Sequence, residues 1–160
     1  HTRGKLSPVK VAQNINRLFP EFSSDNNFVA LIYAILNPQD HEFVCICCGQ
    51  SPPLFLHAGG NPVPLGEHGP VLGIFDNPSY KSVEKAISPG DILVLYTDGV
   101  IEFLMKKVSI FGLEHLSSIV NDSRKLPAAE IIQRIIQGAR QYSGLQNFQD
   151  DFTLVVLKRE

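Results

Sequence analysis

The chain has 160 residues, 44% of them hydrophobic and 19% charged. That is apolar enough for one ordinary core and argues against a disordered segment or a coiled coil. Its formal net charge of −2 gives no general attraction to nucleic acid or to an anionic membrane. No apolar run reaches membrane-spanning length and no signal-peptide layout precedes Ser7, so one cytoplasmic domain is the expectation.

In chain order, Ser7-Pro8 is a helix start, with a hydroxyl at the cap and proline in the first turn. Val11, Ala12, Ile15, Leu18 and Phe19 then fall on one face, and Pro20 is expected to end the helix. Phe28 to Leu36 reads as a buried strand. The turn Asn37-Pro38-Gln39-Asp40 leads it into Glu42 to Cys48 as an antiparallel pair. Pro53 to His57 reads as a short strand and Ala58 to Pro62 as a turn. Val63 to Phe75 is too rich in Gly and Pro for regular structure. Tyr80 to Ile87 alternates as a half-exposed strand, expected to pair with Ile92 to Tyr96 through the turn Ser88 to Asp91. Glu102 to Lys107 is ambiguous, with Glu102 read as a surface residue.

Leu113, Leu116, Ile119 and Val120 mark a short helix. Ala128, Ile131, Ile132, Ile135, Ile136, Ala139 and Tyr142 mark a long one, with Pro127 near its start and Gly144 past its end. So wide an apolar stripe packs most simply onto a sheet. Strands in the middle with helices before and after make an α+β pattern.

Cys45, Cys47 and Cys48 are the chain's only cysteines, and a zinc site would need a fourth ligand beside them. They read as reduced thiols packed in a core. The five histidines show no paired ligand spacing, and no G-x-x-x-x-G-K-[ST] phosphate loop is present.

The chemistry concentrates at two strand ends. The apolar run Ile92 to Tyr96 is followed by Thr97-Asp98-Gly99, and Gln149-Asp150-Asp151 opens a second run, Phe152 to Leu157. Carboxylates at two such ends can converge on a hard divalent cation. Read alone, Asp98-Gly99 is equally a tight turn and Asp150-Asp151 a solvated one. Asp91 reads as the cap of its own turn.

The order of these pieces resembles the SpoIIE-like branch of the metal-dependent protein serine/threonine phosphatases, the PPM superfamily. The resemblance runs through Pro89-Gly90-Asp91, Thr97-Asp98-Gly99-Val100-Ile101-Glu102, Phe111-Gly112, a long helix, and Asp150-Asp151-Phe152-Thr153-Leu154-Val155-Val156. Upstream, Asn37-Pro38, Gly49-Gln50-Ser51-Pro52-Pro53 and Leu72-Gly73-Ile74 match weaker family segments, with Gln50 where the family has a loop histidine.

The resemblance implies two antiparallel sheets packed as a sandwich with helices outside, residues 1–160 being the C-terminal three-quarters of one phosphatase domain. It implies two Mn²⁺ or Mg²⁺ ions that activate water against a phosphoserine or phosphothreonine, with no covalent intermediate. By position, Asp98 and Asp150 would be the ligands, Asp151 an alternative, and Gly99 would allow close backbone approach. The implied substrate is a phosphorylated regulatory protein, such as an anti-sigma factor antagonist in partner switching, with room for an upstream sensor or receiver domain. A phosphatase-like module without activity is the alternative. The family's Gly-Asp-aromatic-aromatic-Asp motif, which supplies a further metal ligand, does not occur in the sequence. On that reading the chain alone is nearly inactive, and either dimerises or requires the missing segment.

Overall fold

The computed structural model describes residues 7–22, 27–103, 112–143 and 151–160. In chain order the elements are α1 (Pro8–Phe22), β1 (Leu31–Asn37), β2 (Glu42–Cys48), β3 (Leu54–Leu56) and β4 (Pro62–Pro64). They continue with β5 (Ser82–Ala86), β6 (Ile92–Tyr96), α2 (Asp98–Phe103), α3 (Gly112–Asp122), α4 (Ala128–Ser143) and β7 (Leu154–Lys158). The chain is α+β, with two all-antiparallel sheets, each in its own compact unit.

One unit comprises residues 1–52 and 66–87 and holds the sheet β1-β2-β5. Its core joins Ala12 of α1 to Ile46 and Cys48 of β2, with Leu72 and Tyr80 from the loop before β5. The Ser7 carbonyl accepts from the Val11 N–H at 3.1 Å, closing the first helical turn where the sequence places the cap. Asn16 is buried among apolar neighbours and so must be fully hydrogen-bonded. Its amide donates to the Phe75 carbonyl, and its oxygen accepts from Gly73 N–H and the Tyr80 hydroxyl. Those bonds anchor the Gly/Pro-rich loop on α1.

The other unit comprises residues 53–65 and 88–160 and holds the sheet β4-β3-β6-β7 with α2, α3 and α4. Leu54, Leu56, Ile92, Val94, Tyr96 and Val156 meet Leu116, Val120, Ile131, Ile135 and Ala139 of the helices in one continuous core. Burial of each Ile or Leu there contributes roughly 1.5–3 kcal/mol. A Cβ on Gly138 would come within 2.5 Å of Ile119 Cδ1, so the tip of that side chain packs directly against the α4 backbone.

Four expectations are corrected. Pro20 does not end α1 at once; the helix runs two residues further, to Phe22, so the proline falls in its last turn, where few helical hydrogen bonds remain to be lost. The apolar run from Phe28 is not a buried strand. The strand proper begins at Leu31, its side chains are half-buried or exposed, and Phe28 is 57% exposed. β1 is an edge strand of its sheet, and edge positions keep solvent on one side. The passage Val63 to Phe75 includes most of a short strand, β4. The expected β5–β6 hairpin does not form. β5 pairs with β2, and β6 pairs with β3 and β7. The burial patterns explain the separation: β6 is almost wholly buried, whereas β5 exposes four of its five residues. A doubly buried strand takes the centre of a covered sheet, and a polar one takes an edge.

Candidate functional site

The candidate residues gather where β6 and β7 run out together. The register places Tyr96 opposite Leu154. One step further, the Thr97 N–H donates to the Thr153 carbonyl at 3.1 Å. The Thr97 hydroxyl donates to the Asp151 carbonyl at 2.8 Å and accepts from the Thr153 N–H at 3.0 Å. A single side chain therefore latches residue 97, next to Asp98, to residues 151 and 153. The sequence reading passed over Thr97. Its only signal was a hydroxyl residue in register with Thr153 beside an aspartate.

Asp98 is the first residue of α2 and exposed; Gly99 follows it and is buried. Asp151 is exposed and lies three residues before β7. The structure thus brings the Asp98 and Asp151 segments together at one end of the strand pair. Asp150 lies outside the described residues, as does the side chain of Glu102.

The expectation of a buried strand-end carboxylate at Asp98, with Asp98-Gly99 as a closing turn, is corrected. The apolar run stops at Tyr96, and the Val100 N–H donates to the Thr97 carbonyl at 2.9 Å to begin a helix. An aspartate in a first helical turn faces backbone N–H groups and is favourable while solvated.

The buried carboxylate lies at the opposite end of β6. Asp91 is 1% exposed. Its Oδ2 accepts from Ser88 N–H at 2.8 Å, and its Oδ1 accepts from Ala58 N–H at 2.9 Å and meets His57 Nδ1 at 2.8 Å. Its own N–H donates to the Ser88 carbonyl, and its carbonyl accepts from Arg159 N–H. Asp91 caps its own turn as read, and also ties the ends of β3 and β7 to it. His57, just past the end of β3, is mostly exposed and supplies one side of that knot.

Could the strand-end residues hold a divalent cation? Asp98 and Asp151 supply hard oxygen donors on solvated positions. Ions such as Mg²⁺ use one or two carboxylates, keep several waters and take further oxygens from phosphate. The donor set fits one such ion. Among the described residues, which do not include Asp150, no group of three or more His, Cys, Asp or Glu is placed to hold a metal. At Gln50, which stands where the resembled family has histidine, the side-chain oxygen is buried without a hydrogen-bond partner among the described residues.

The family model for stage II sporulation protein E (SpoIIE) matches residues 1–160. The chain belongs to the SpoIIE family. It is 29% identical over 158 residues to the phosphoserine phosphatase RsbU of Bacillus subtilis, covering 97% of this chain and 46% of that protein. It thus spans less than half the length of that relative. Among solved structures, the SiaA-PP2C domain of Pseudomonas aeruginosa superposes with a TM-score of 0.81 at 16% identity, over 99% of this chain and 63% of that one. The phosphatase domain of SpoIIE from Bacillus subtilis, presoaked with Mn, gives 0.66 at 14% identity, over 100% and 76%. The α+β fold with two antiparallel sheets is therefore that of the SpoIIE and PP2C phosphatase domains. Among the described residues no helix is long and apolar enough to cross a membrane.

Proposed function

We propose that residues 1–160 form a metal-dependent protein serine/threonine phosphatase domain. In this reading it removes phosphate from a regulatory protein of the anti-sigma factor antagonist kind in cytoplasmic partner switching. The observation that carries the reading is the Thr97 latch, which holds the Asp98 and Asp151 segments at one strand-pair end. Family membership and the name of the RsbU relative support the reaction class.

In this proposal Asp98 and Asp150 hold the cation, Asp151 is the alternative ligand, and Gly99 lets the backbone approach closely. Bound Mn²⁺ or Mg²⁺ would supply water activation and neutralise charge on the phosphoryl oxygens. The chain's own part is to present oxygen donors without movement. Thr97 fixes the two segments relative to each other, so little ordering remains to be done when a phosphoryl group arrives. The exposure of Asp98 and Asp151 leaves room for a folded substrate, not only a small ester.

The test is phosphate release from a phosphoserine protein by the full-length protein, with Mn²⁺ and with chelator. The expected result is release that needs Mn²⁺ and falls about a hundredfold in Asp98→Asn, equivalent to about 2.7 kcal/mol. Asp151→Asn is expected to be milder than Asp150→Asn, and the reverse order would exchange their roles. A second reading is a phosphatase-like interaction module without activity. It predicts partner binding with no Mn²⁺-dependent release at all.

A further inference from the structure

Between α3 and α4 runs an open groove of about 430 Å³. Each helix presents one stripe to it at i, i+3 and i+4 spacing: Ile119, Asp122 and Ser123 on α3, and Arg134, Gln137 and Gly138 on α4. Lys125 and Leu126 line it from the turn between the helices, and Gln141 extends it by a turn of α4. A groove of that size takes a small organic molecule, not just an ion or a few waters.

Ser123 is 4% exposed. The other buried polar residues described, Asn16 and Asp91, each make three side-chain hydrogen bonds. Ser123 bonds only through its backbone, its N–H donating to the Ile119 carbonyl and its carbonyl accepting from Leu126 N–H. Its hydroxyl has no partner among the described residues. Nor is the hydroxyl sealed in, since the buried side-chain atom left without a partner among those residues is the Gln50 oxygen. The hydroxyl therefore opens onto the groove that Ser123 lines. A polar group kept at a buried position needs a bond, and here the bond must come from that side.

The cations around the hairpin divide in the same way. Arg124 is committed, its guanidinium donating to the Asn121 and Gly60 carbonyls, and Lys158 donates to the Leu126 carbonyl. Lys125 and Arg134 stand exposed on the groove, and neither side chain has an ion pair or hydrogen bond among the described residues. The same is true of Asp122. The end of α3 does not call on these cations, because the Ile119, Asn121 and Ser123 carbonyls already accept from the N–H groups of Ser123, Arg124 and Leu126.

We propose that the α3–α4 groove binds a small phosphate monoester rich in hydroxyl groups: a sugar phosphate, free or within a mononucleotide. Arg134 and Lys125 take the phosphate, whose double charge matches theirs. Ser123 adds a hydrogen bond from the groove wall. Asp122 selects against bare phosphate by repulsion and accepts from sugar hydroxyls, the use a carboxylate has in dinucleotide folds. Gln137 and Gln141 offer donors and acceptors together. Ile119 and Leu126 give the carbon skeleton apolar surface.

The experiment titrates ribose phosphate, adenosine monophosphate, ribose and inorganic phosphate into the full chain by calorimetry. Chelator is present throughout, so that the strand-end carboxylates hold no cation. Both esters are expected to bind with Kd below about 1 mM, and ribose and inorganic phosphate at least about tenfold more weakly. Tighter binding of adenosine monophosphate would show that the base shares the groove; equal binding would show that the sugar phosphate suffices, and both results support the site. Arg134→Gln should weaken the esters about tenfold or more, and Ser123→Ala about fivefold. Ser123→Ala should also leave the urea midpoint unchanged, because its hydroxyl has no bond in the protein to lose. Arg17→Gln, an exposed cation on α1, should change nothing. Inorganic phosphate binding as tightly as the esters would mean an adventitious ion only and overturn the proposal. So would ester affinity that survives Arg134→Gln and Ser123→Ala, an equal loss in Arg17→Gln, or no ester binding at all.

Discussion

The two ends of β6 each carry an aspartate, and the two do opposite things. Asp91 is buried, and its carboxylate and backbone are committed to Ser88, Ala58, His57 and Arg159. Asp98 is solvated at the mouth of α2, and the neighbouring Thr97 fixes where it stands. A buried carboxylate surrounded by donors is spent on structure, because leaving any of them unpaired costs more than the pairing gains. An exposed one beside a latched backbone stands where a ligand can reach it from solvent. One strand thus separates the anchoring of the sheet from the chemistry proposed at its other end.

The sharpest way to break this comparison is Asp91→Ala. It strands two backbone N–H donors and should destabilise the protein by about 3–5 kcal/mol, read as a lower urea midpoint. Asp98→Asn should do the reverse. Its cost in stability is expected within about 0.5 kcal/mol, as for an ordinary surface change, while Mn²⁺-dependent phosphate release collapses. If Asp98→Asn unfolds the protein as readily as Asp91→Ala, the division of labour is wrong.

Thr97→Val keeps the shape and deletes the hydroxyl. The expected loss is about 1 kcal/mol of stability, together with weaker Mn²⁺ binding, because the two segments are no longer clamped. Unchanged Mn²⁺ binding would reduce the latch to a strand-end hydrogen bond. The smallest effect is expected for His57→Ala, below about 1 kcal/mol, since that ring is 61% exposed and solvent screens its pairing with Asp91.

What the sequence made legible is what periodicity carries. The long stripe from Ala128 to Ala139 and the apolar runs of β6 and β7 are strong local signals, and each became the element expected. Partnering is a different matter. The four residues between Ala86 and Asp91 look like a hairpin turn, yet the chain changes sheets there, because a buried strand and a polar one seek different neighbours. Asp91 was legible as a turn cap through Ser88, three residues away. Its ties to His57 and Ala58 span 34 and 33 residues and leave no local mark. α2 has six residues, too few for a helical period to declare itself. Asp98, Asp150 and Asp151 stood out as carboxylates at the ends of two apolar runs, and resemblance to a family gave them their roles as ligands. The Thr97 latch bridges 54 to 56 residues and became visible only in the fold.

The most direct measurement is a calorimetric titration of Mn²⁺ into the wild type and Asp98→Asn, each first shown to unfold at the same urea midpoint. The account predicts at most one weakly held ion in the wild type, because the family's Gly-Asp-aromatic-aromatic-Asp ligand does not occur in the sequence, and no measurable binding in Asp98→Asn. Superimposable isotherms for the two proteins, or two tight sites that survive the substitution, would contradict it.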